Sequence, residues 1–250
     1  MKNPTRVEKK MKRRNNFFKF ILLLMLISLV MVLALKTDFF IINDIKVIGN
    51  KNIPKDILIK ASSINIGENI FKISTSSGEN NIKKLSYTKE INIIRKFPKE
   101  IVIEITERKE IAQIKDISSF IFIDDEGHIL DVKDNNKENL PIIIGLKIKN
   151  KKLGDNIFLN VDSKVNIDFI KEGYAIGLLQ KIKEVDMADN NNINMTLIGD
   201  VGVAFGTLDN VKYKLNLLDV VLKDIKRDQI PCKMILMNKG ENPIIVLEDE

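Results

Sequence analysis

The longest apolar run in the chain, Phe17 to Leu35, is interrupted only by Lys19 and Ser28. As a helix rising about 1.5 Å per residue it measures roughly 28 Å, close to the roughly 30 Å hydrocarbon core of a bilayer. Lys19 sits near the start, where a lysine can snorkel to the headgroups, and Ser28 can bond back to its own helix. A cleaved signal peptide has a shorter apolar region followed by a small-x-small site. Here the run ends Val32-Leu33-Ala34-Leu35-Lys36, with no Ala-x-Ala. The pattern predicts an uncleaved transmembrane helix over 17–35, preceded by a basic tail over 1–16.

Beyond the span the period changes. Ile45 and Val47 alternate with polar neighbours as in a strand, and Gly49-Asn50 ends it with two residues tolerant of positive φ. Pro54 opens a helix with Ile53, Ile57 and Ala61 on one face, and Gly67 follows its end. Ser76-Ser77-Gly78-Glu79 has capping-box spacing before a short helix that turns Ile82 and Leu85 inward. Ile91 and Ile93 alternate in a further strand, and Ile101, Ile103 and Ile105 in the next. Phe97-Pro98-Lys99 turns between them, with Pro98 where no ladder N–H is needed. The order is strand, helix, helix, strand, strand.

A second region follows. Phe120, Phe122 and Ile129-Leu130 flank Asp124-Asp125-Glu126-Gly127, an acidic turn ending in glycine, which reads as a hairpin. Leu140-Pro141-Ile142-Ile143-Ile144-Gly145 reads as a short strand closed by glycine. From Ser163 to Glu184 the pattern is helical, with Val165, Phe169, Ile176, Leu179 and Ile182 on one stripe. A loop at Asn190-Asn191-Asn192 precedes strands at 195–198 and 202–205. A helix over 211–227 turns Leu215, Leu218, Leu222 and Ile225 inward. Strands at 233–237 and 244–247 flank the turn cluster 238–243. The fold class is α+β.

Charge adds direction. Residues 1–19 hold eight basic side chains and one acid, so the remainder nets −1 against a whole-chain value of +6. Basic residues stay on the cytoplasmic side of a span, which puts the tail inside and residues 36–250 outside. A body of net −1 with a short basic tail argues against nucleic-acid binding. The single cysteine, Cys232, allows no intramolecular disulfide, and its place at a strand entry after Pro231 suits a small buried apolar residue.

Taken together, Ile45-Lys46-Val47-Ile48-Gly49-Asn50, Gly67-Glu68-Asn69-Ile70-Phe71, Arg95-Lys96-Phe97-Pro98 and Ile101-x-Ile103-x-Ile105-x-Glu107-Arg108 resemble a POTRA domain. Behind a single span and ahead of a β-rich domain, they are similar to the FtsQ/DivIB bacterial cell-division proteins. Lys109-Glu110 stands where that family usually has a proline. The resemblance implies a POTRA domain over 40–108, with Val47, Gly49, Asn50, Arg95, Pro98, Glu107 and Arg108 as its motif. It implies a mixed β domain with two helices over 109–250. It also implies a plasma-membrane scaffold at the division septum that docks single-span division proteins of the FtsB/DivIC and FtsL type. Docking is expected near Met237, Ile244, Ile245, Val246 and Leu247, which the pattern alone reads equally well as the core side of a last strand. The alternatives at this stage are a POTRA-bearing secretion or membrane-assembly factor and a membrane-anchored cell-wall enzyme.

Candidate chemistry is sparse. Ser86-Tyr87-Thr88-Lys89 fits Ser-x-x-Lys, but the companion Ser-Asp-Asn and Lys-Thr-Gly motifs do not occur. His128, the one histidine, is expected as an exposed turn residue, and a two-histidine zinc site is excluded by count. No phosphate-binding glycine loop and no nucleophile elbow occurs. The expectation is therefore a binding protein without catalytic residues, cofactor, metal or small-molecule substrate.

Overall fold

The computed structural model describes residues 6–146, 148, 150–157, 167–240 and 242–248. Helix α1 runs Arg6–Lys36. Its apolar part, Arg13–Lys36, spans 24 residues at a mean hydropathy of 2.8, with none of it buried against protein. That is about 36 Å of helix, enough to cross a bilayer. The described part of the basic tail continues this helix, because lysine, arginine and glutamate are good helix formers and a nucleated helix propagates cheaply. At the other end the last carbonyls are capped. Thr37 donates from Oγ1 to Leu33 O at 2.8 Å, and Asn69 from Nδ2 to Ala34 O at 2.9 Å. A 3-10 turn, Asp38–Phe40, follows.

The chain then forms two units, residues 1–82 with 90–106 and residues 83–89 with 107–250. In the first, strand β1 (Asp44–Ile48) leads to helices α2 (Lys55–Ser62) and α3 (Thr75–Ile82), then to β2 (Thr88–Lys96) and β3 (Glu100–Glu107). The order βααββ is the expected one. β3 lies between β1 and β2, and β1 runs parallel to it in a register from Asp44↔Glu100 to Ile48↔Glu104. Ile45, Leu58, Ile64, Ile70, Ile82, Ile93, Ile101 and Ile103 fill the core.

Two local expectations are corrected. The buried face of α2 is Leu58 and Ser62, whereas Ile57 is exposed and Ala61 half-buried. Ser62 takes a core position because its hydroxyl is satisfied locally, donating to Ile59 O at 2.6 Å and accepting from Ile64 N at 3.1 Å. Helix α3 starts two residues earlier than its Ser76–Glu79 box implies. Ser74 Oγ accepts the Ser77 N–H at 3.3 Å, while Glu79 accepts from Ile93 N at 2.8 Å. Leu85 falls beyond the helix and is half-buried.

The second unit carries a nine-stranded sheet. Its strands are β4 (Ala112–Lys115), β5 (Phe120–Ile123), β6 (Ile129–Lys133), β7 (Ile142–Ile144), β8 (Ile182–Asp186), β9 (Ile193–Leu197), β10 (Gly202–Gly206), β11 (Cys232–Leu236) and β12 (Ile244–Leu247). The spatial order is β12-β11-β10-β9-β8-β7-β4-β5-β6. The pairs β4–β7, β7–β8 and β10–β11 are parallel, and the others antiparallel. Helices α4 (Ile167–Ala175) and α5 (Val211–Asp228) join the sheet in one apolar core. Within that core Phe169 meets Phe205 edge to face at 5.9 Å.

Here too an expectation changes. The helix foreseen over 163–184 ends at Ala175, and Ser163 and Val165 lie outside the described residues. Gly177 adopts φ +73°, its N–H bonds Tyr174 O at 3.0 Å, and the Leu178 N–H bonds Gly173 O at 2.8 Å. That pair of bonds is a Schellman stop. Residues 182–186 are thereby freed to form β8. β4 was not foreseen either, because its centre is the fully buried Gln113. The Gln113 amide donates to Lys137 O and Leu140 O at 2.7 and 2.8 Å and accepts from Lys137 N at 2.8 Å.

Gly49 has φ +92°, and a Cβ there would lie 2.1 Å from the Ile105 carbonyl oxygen. Gly49→Ala is expected to destabilise the first unit by at least about 2 kcal/mol, combining positive-φ strain with a backbone clash. Denaturant unfolding of the detergent-solubilised chain measures this.

Candidate functional site

The two edges of the large sheet differ in how their backbone groups are treated. At the β6 edge, Ile129 N–H bonds Asp155 O at 2.9 Å, Gly154 N–H bonds Ile129 O at 2.8 Å, and Ser86 Oγ donates to Leu130 O at 2.7 Å. Asp131 and Lys133 pair at 2.8 Å on the same strand. The hydrogen bond it donates to Asp131 holds the Lys133 ammonium above its usual range. This edge is covered and charged, the two common defences against strand addition.

At the other edge β12 pairs only with β11, in the register Leu236↔Ile244, Ile235↔Ile245 and Met234↔Val246. Ile245 turns into the core, while Ile244, Val246 and Leu247 remain 48%, 38% and 53% exposed. Among the described residues no strand covers the far side of β12. Met237, expected with these four, is instead buried, and its N–H bonds Ala204 O at 2.9 Å. It lines a cavity of about 350 Å³ with Asn210, Tyr213, Lys214, Leu217, Gly240 and Pro243. Periodicity cannot separate an edge residue from one that bonds back over the next strand, so Met237 belongs to the core side.

Arg108 anchors the other polar feature of this unit. Its Nη1 lies 2.5 Å from Asp124 Oδ2, 2.7 Å from Glu126 Oε2 and 2.9 Å from His128 Nδ1. A guanidinium only donates, so Nδ1 is the acceptor. Asp124 is fully buried, and its Oδ1 also accepts from Glu126 N at 3.0 Å and His128 N at 2.7 Å. Burial pulls Arg108 down, but the hydrogen bonds to Glu126 and Asp124 outweigh it and leave the guanidinium above its ordinary value. The same bond holds Glu126 below the usual carboxylate range. Asp124, Glu126 and His128 have the donor types of a cation site. Arg108 fills the point between them, so the cluster is an ion pair, not a metal cradle. His128, expected as exposed, is half-buried because it shares this bonding.

The remaining motif residues make structural bonds. Arg95 donates from Nε to Ile70 O at 3.0 Å and from Nη2 to Ile73 O at 2.8 Å, clamping the α2–α3 connection. Asn50 Nδ2 donates to Ile53 O at 3.1 Å, setting the approach to α2. Val47 is half-buried on β1, Pro98 lies in the β2–β3 turn after a cis peptide bond, and Glu107 ends β3. Of the Ser-x-x-Lys residues, Ser86 bonds Leu130 O, and Tyr87 donates to Glu110 at 2.6 Å. Burial, and then Glu110, push the Tyr87 phenol up. Lys89 pairs with Glu126 and Asp125 at 3.5 and 3.7 Å. The serine and the lysine therefore face different partners. Cys232 is buried, which raises its thiol.

A βααββ unit of this kind behind an apolar helix, followed by a mixed sheet with two helices, defines a membrane-associated POTRA protein with a second, β-rich domain. Residues 40–108 match the POTRA domain, FtsQ-type, and residues 112–235 match the cell division protein FtsQ/DivIB C-terminal domain. Cell division protein DivIB of Clostridium tetani is 32% identical over 202 residues, covering 77% of this chain and 74% of that protein. DivIB of Clostridium botulinum strain Hall is 28% identical over 254 residues, covering 97% and 95%. A solved structure of the major extracytoplasmic domain of the trans isomer of DivIB from Geobacillus stearothermophilus is also similar. It covers 49% of this chain and 98% of that chain at 15% identity, with a TM-score of 0.32. The chain belongs to the FtsQ/DivIB family of cell division proteins.

Two expectations follow from the charges. Arg108→Met leaves Asp124 buried without its partner and is expected to cost about 3–5 kcal/mol, much of it recovered by adding Asp124→Asn. Equilibrium unfolding of the single and double variants checks this. Separately, Asp219 on α5 is held below the usual carboxylate range by Lys181 at 2.8 Å and Lys223 at 2.6 Å. A depressed folded pKa stabilises above the unfolded value and stops doing so as pH falls through the folded one. Asp219→Asn is thus expected to lower the melting temperature at pH 7, with the gap from the parent chain closing as pH falls below the ordinary aspartate range.

Proposed function

We propose that the protein is a bitopic scaffold of the division complex. Its basic N-terminal side is cytoplasmic and its POTRA and β domains extracytoplasmic, and it is concentrated in the plasma membrane at the septum. The body docks the outer segments of single-span division proteins of the FtsB/DivIC and FtsL type. The observation carrying this reading is the contrast between the two edges of the large sheet. β6 is covered by Gly154, Asp155 and Ser86, whereas among the described residues no strand covers the outer side of β12, and Ile244, Val246 and Leu247 are exposed beside it.

A partner segment adding as a tenth strand would gain backbone hydrogen bonds for affinity and alternate side-chain contacts for specificity. The cavity beside Tyr213, Leu217 and Met237 offers room for an apolar side chain next to that strand. Confinement of both partners to one bilayer raises their effective concentration, so weak contacts suffice. The helix over Arg13–Lys36 supports the anchoring, and the eight basic residues ahead of Phe20 support the direction.

The test replaces the three exposed side chains, as Ile244→Lys, Val246→Lys and Leu247→Lys together, leaving the inward Ile245 in place. Co-reconstitution with candidate DivIC- and FtsL-type partners should show binding weakened at least about tenfold, a loss of about 1.4 kcal/mol or more. A fluorescent fusion of the same variant should lose partner recruitment to the septum. Unchanged binding and recruitment in the triple variant would sink the edge-strand reading.

A further inference from the structure

Four phenylalanines from three separate segments meet on the surface of the first unit. Phe39 packs on Phe40 and Phe40 on Phe71 edge to face, each at 5.0 Å, and Phe71 stacks on Phe97 at 5.2 Å. They come from the 3-10 turn after α1, the α2–α3 connection and the β2–β3 turn. The cluster is outside the core: Phe39, Phe71 and Phe97 are 60%, 44% and 59% exposed. Rings gathered from distant segments and left facing outward mark a contact surface.

The backbone fixes where that surface lies. Phe39 follows the last residue of α1 by three positions, within about 10 Å of chain length from the helix end. Ile70 N–H bonds Phe40 O at 2.9 Å, Ile42 N–H bonds Glu68 O at 2.8 Å, and Asn43 N–H bonds Lys99 O at 3.0 Å. The loop bearing Phe71 and the turn bearing Phe97 are thereby bonded to the segment that leaves the span. β1 and β3 run side by side away from this end.

Lysines accompany the rings in sequence: Lys36 precedes Phe39, Lys72 follows Phe71, and Lys96 and Lys99 bracket Phe97-Pro98. Lys36 and Lys72 also line a cleft of about 510 Å³ at the end of α1, together with Asn69 and Glu68. Of the acids at this end, Glu100 and Asp44 are held by Lys46 at 2.8 and 3.7 Å, leaving Asp38 and Glu68 against the four lysines.

We propose that this aromatic cluster is a lipid-binding surface. The exposed rings of Phe39, Phe71 and Phe97 enter the acyl–headgroup boundary of the outer leaflet, and Lys36, Lys72, Lys96 and Lys99 meet lipid phosphates. Apolar rings flanked by cationic side chains are the chemistry of interfacial membrane binding. Covalent continuity with the span sets the cluster at headgroup depth. The surface gives the POTRA domain a second grip on the bilayer beside the helix. The proposal rests on the topology given under Proposed function.

The chain contains no tryptophan, so a single one is spectroscopically unique. Phe97→Trp keeps an aromatic ring in the cluster, and Ile48→Trp places one at the exposed far end of β1, about 13 Å further out. The full-length variants are reconstituted in phosphatidylcholine vesicles with about one-third phosphatidylglycerol, doped with lipid spin-labelled near the headgroup. The expected result is F97W emission quenched at least about twofold more than I48W emission. Equal quenching of the two, with the protein still resistant to alkaline extraction, would overturn the lipid surface alone and leave the cluster to a protein partner. Loss of the protein from the vesicles on alkaline extraction would overturn the topology, and the lipid surface with it.

Discussion

An open β-sheet has two edges, and every N–H and C=O on them must be bonded or left to water. In the large unit this requirement is met asymmetrically. The β6 side is sealed by Gly154, Asp155 and the Ser86 hydroxyl and carries the Asp131–Lys133 pair. The β12 side carries isoleucine, valine and leucine on a four-residue strand. A sheet that protects one edge so thoroughly is stable against indiscriminate pairing there. On the β12 side no strand among the described residues satisfies the outer backbone groups. Helices α4 and α5 pack with the sheet in one apolar core.

The ion cluster around Arg108 serves rigidity at the opposite end of the same sheet. Buried carboxylates are tolerated only when their charge is matched and their lone pairs are occupied. Asp124 meets both conditions, with Arg108 on one oxygen and two backbone N–H groups on the other. The β5–β6 hairpin turn is thus tied by charge to Arg108 within the same unit. The acidic turn, which in isolation looks like a metal loop or a site for acid–base chemistry, is explained by this structural bond.

Much of this was legible in the sequence, and the failures have local causes. The βααββ order, the acidic hairpin, α5 and the final pair of strands follow from period and turn chemistry. α4 was overextended because a helical stripe continues through Leu179 and Ile182, while the Gly177 stop depends on backbone geometry. Ser62 was passed over for Ala61 because hydropathy does not register a hydroxyl satisfied within its own turn. β4 was invisible because Gln113 is a buried polar residue whose partners lie 24 and 27 positions away. Arg108 is legible only as a motif residue, because its role depends on Asp124, Glu126 and His128 converging on it. The bare edge could be guessed from Ile244–Leu247, but the spatial order of nine strands, set by distant pairings, could not.

The junction at the end of α1 has a mechanical consequence. Only seven residues separate the helix from β1, three of them in a 3-10 turn, and Asn69 fastens the loop before α3 to the Ala34 carbonyl. A link this short and this tightly bonded behaves as a bracket, not a tether. Any tilt of α1 would therefore be passed on to the POTRA sheet.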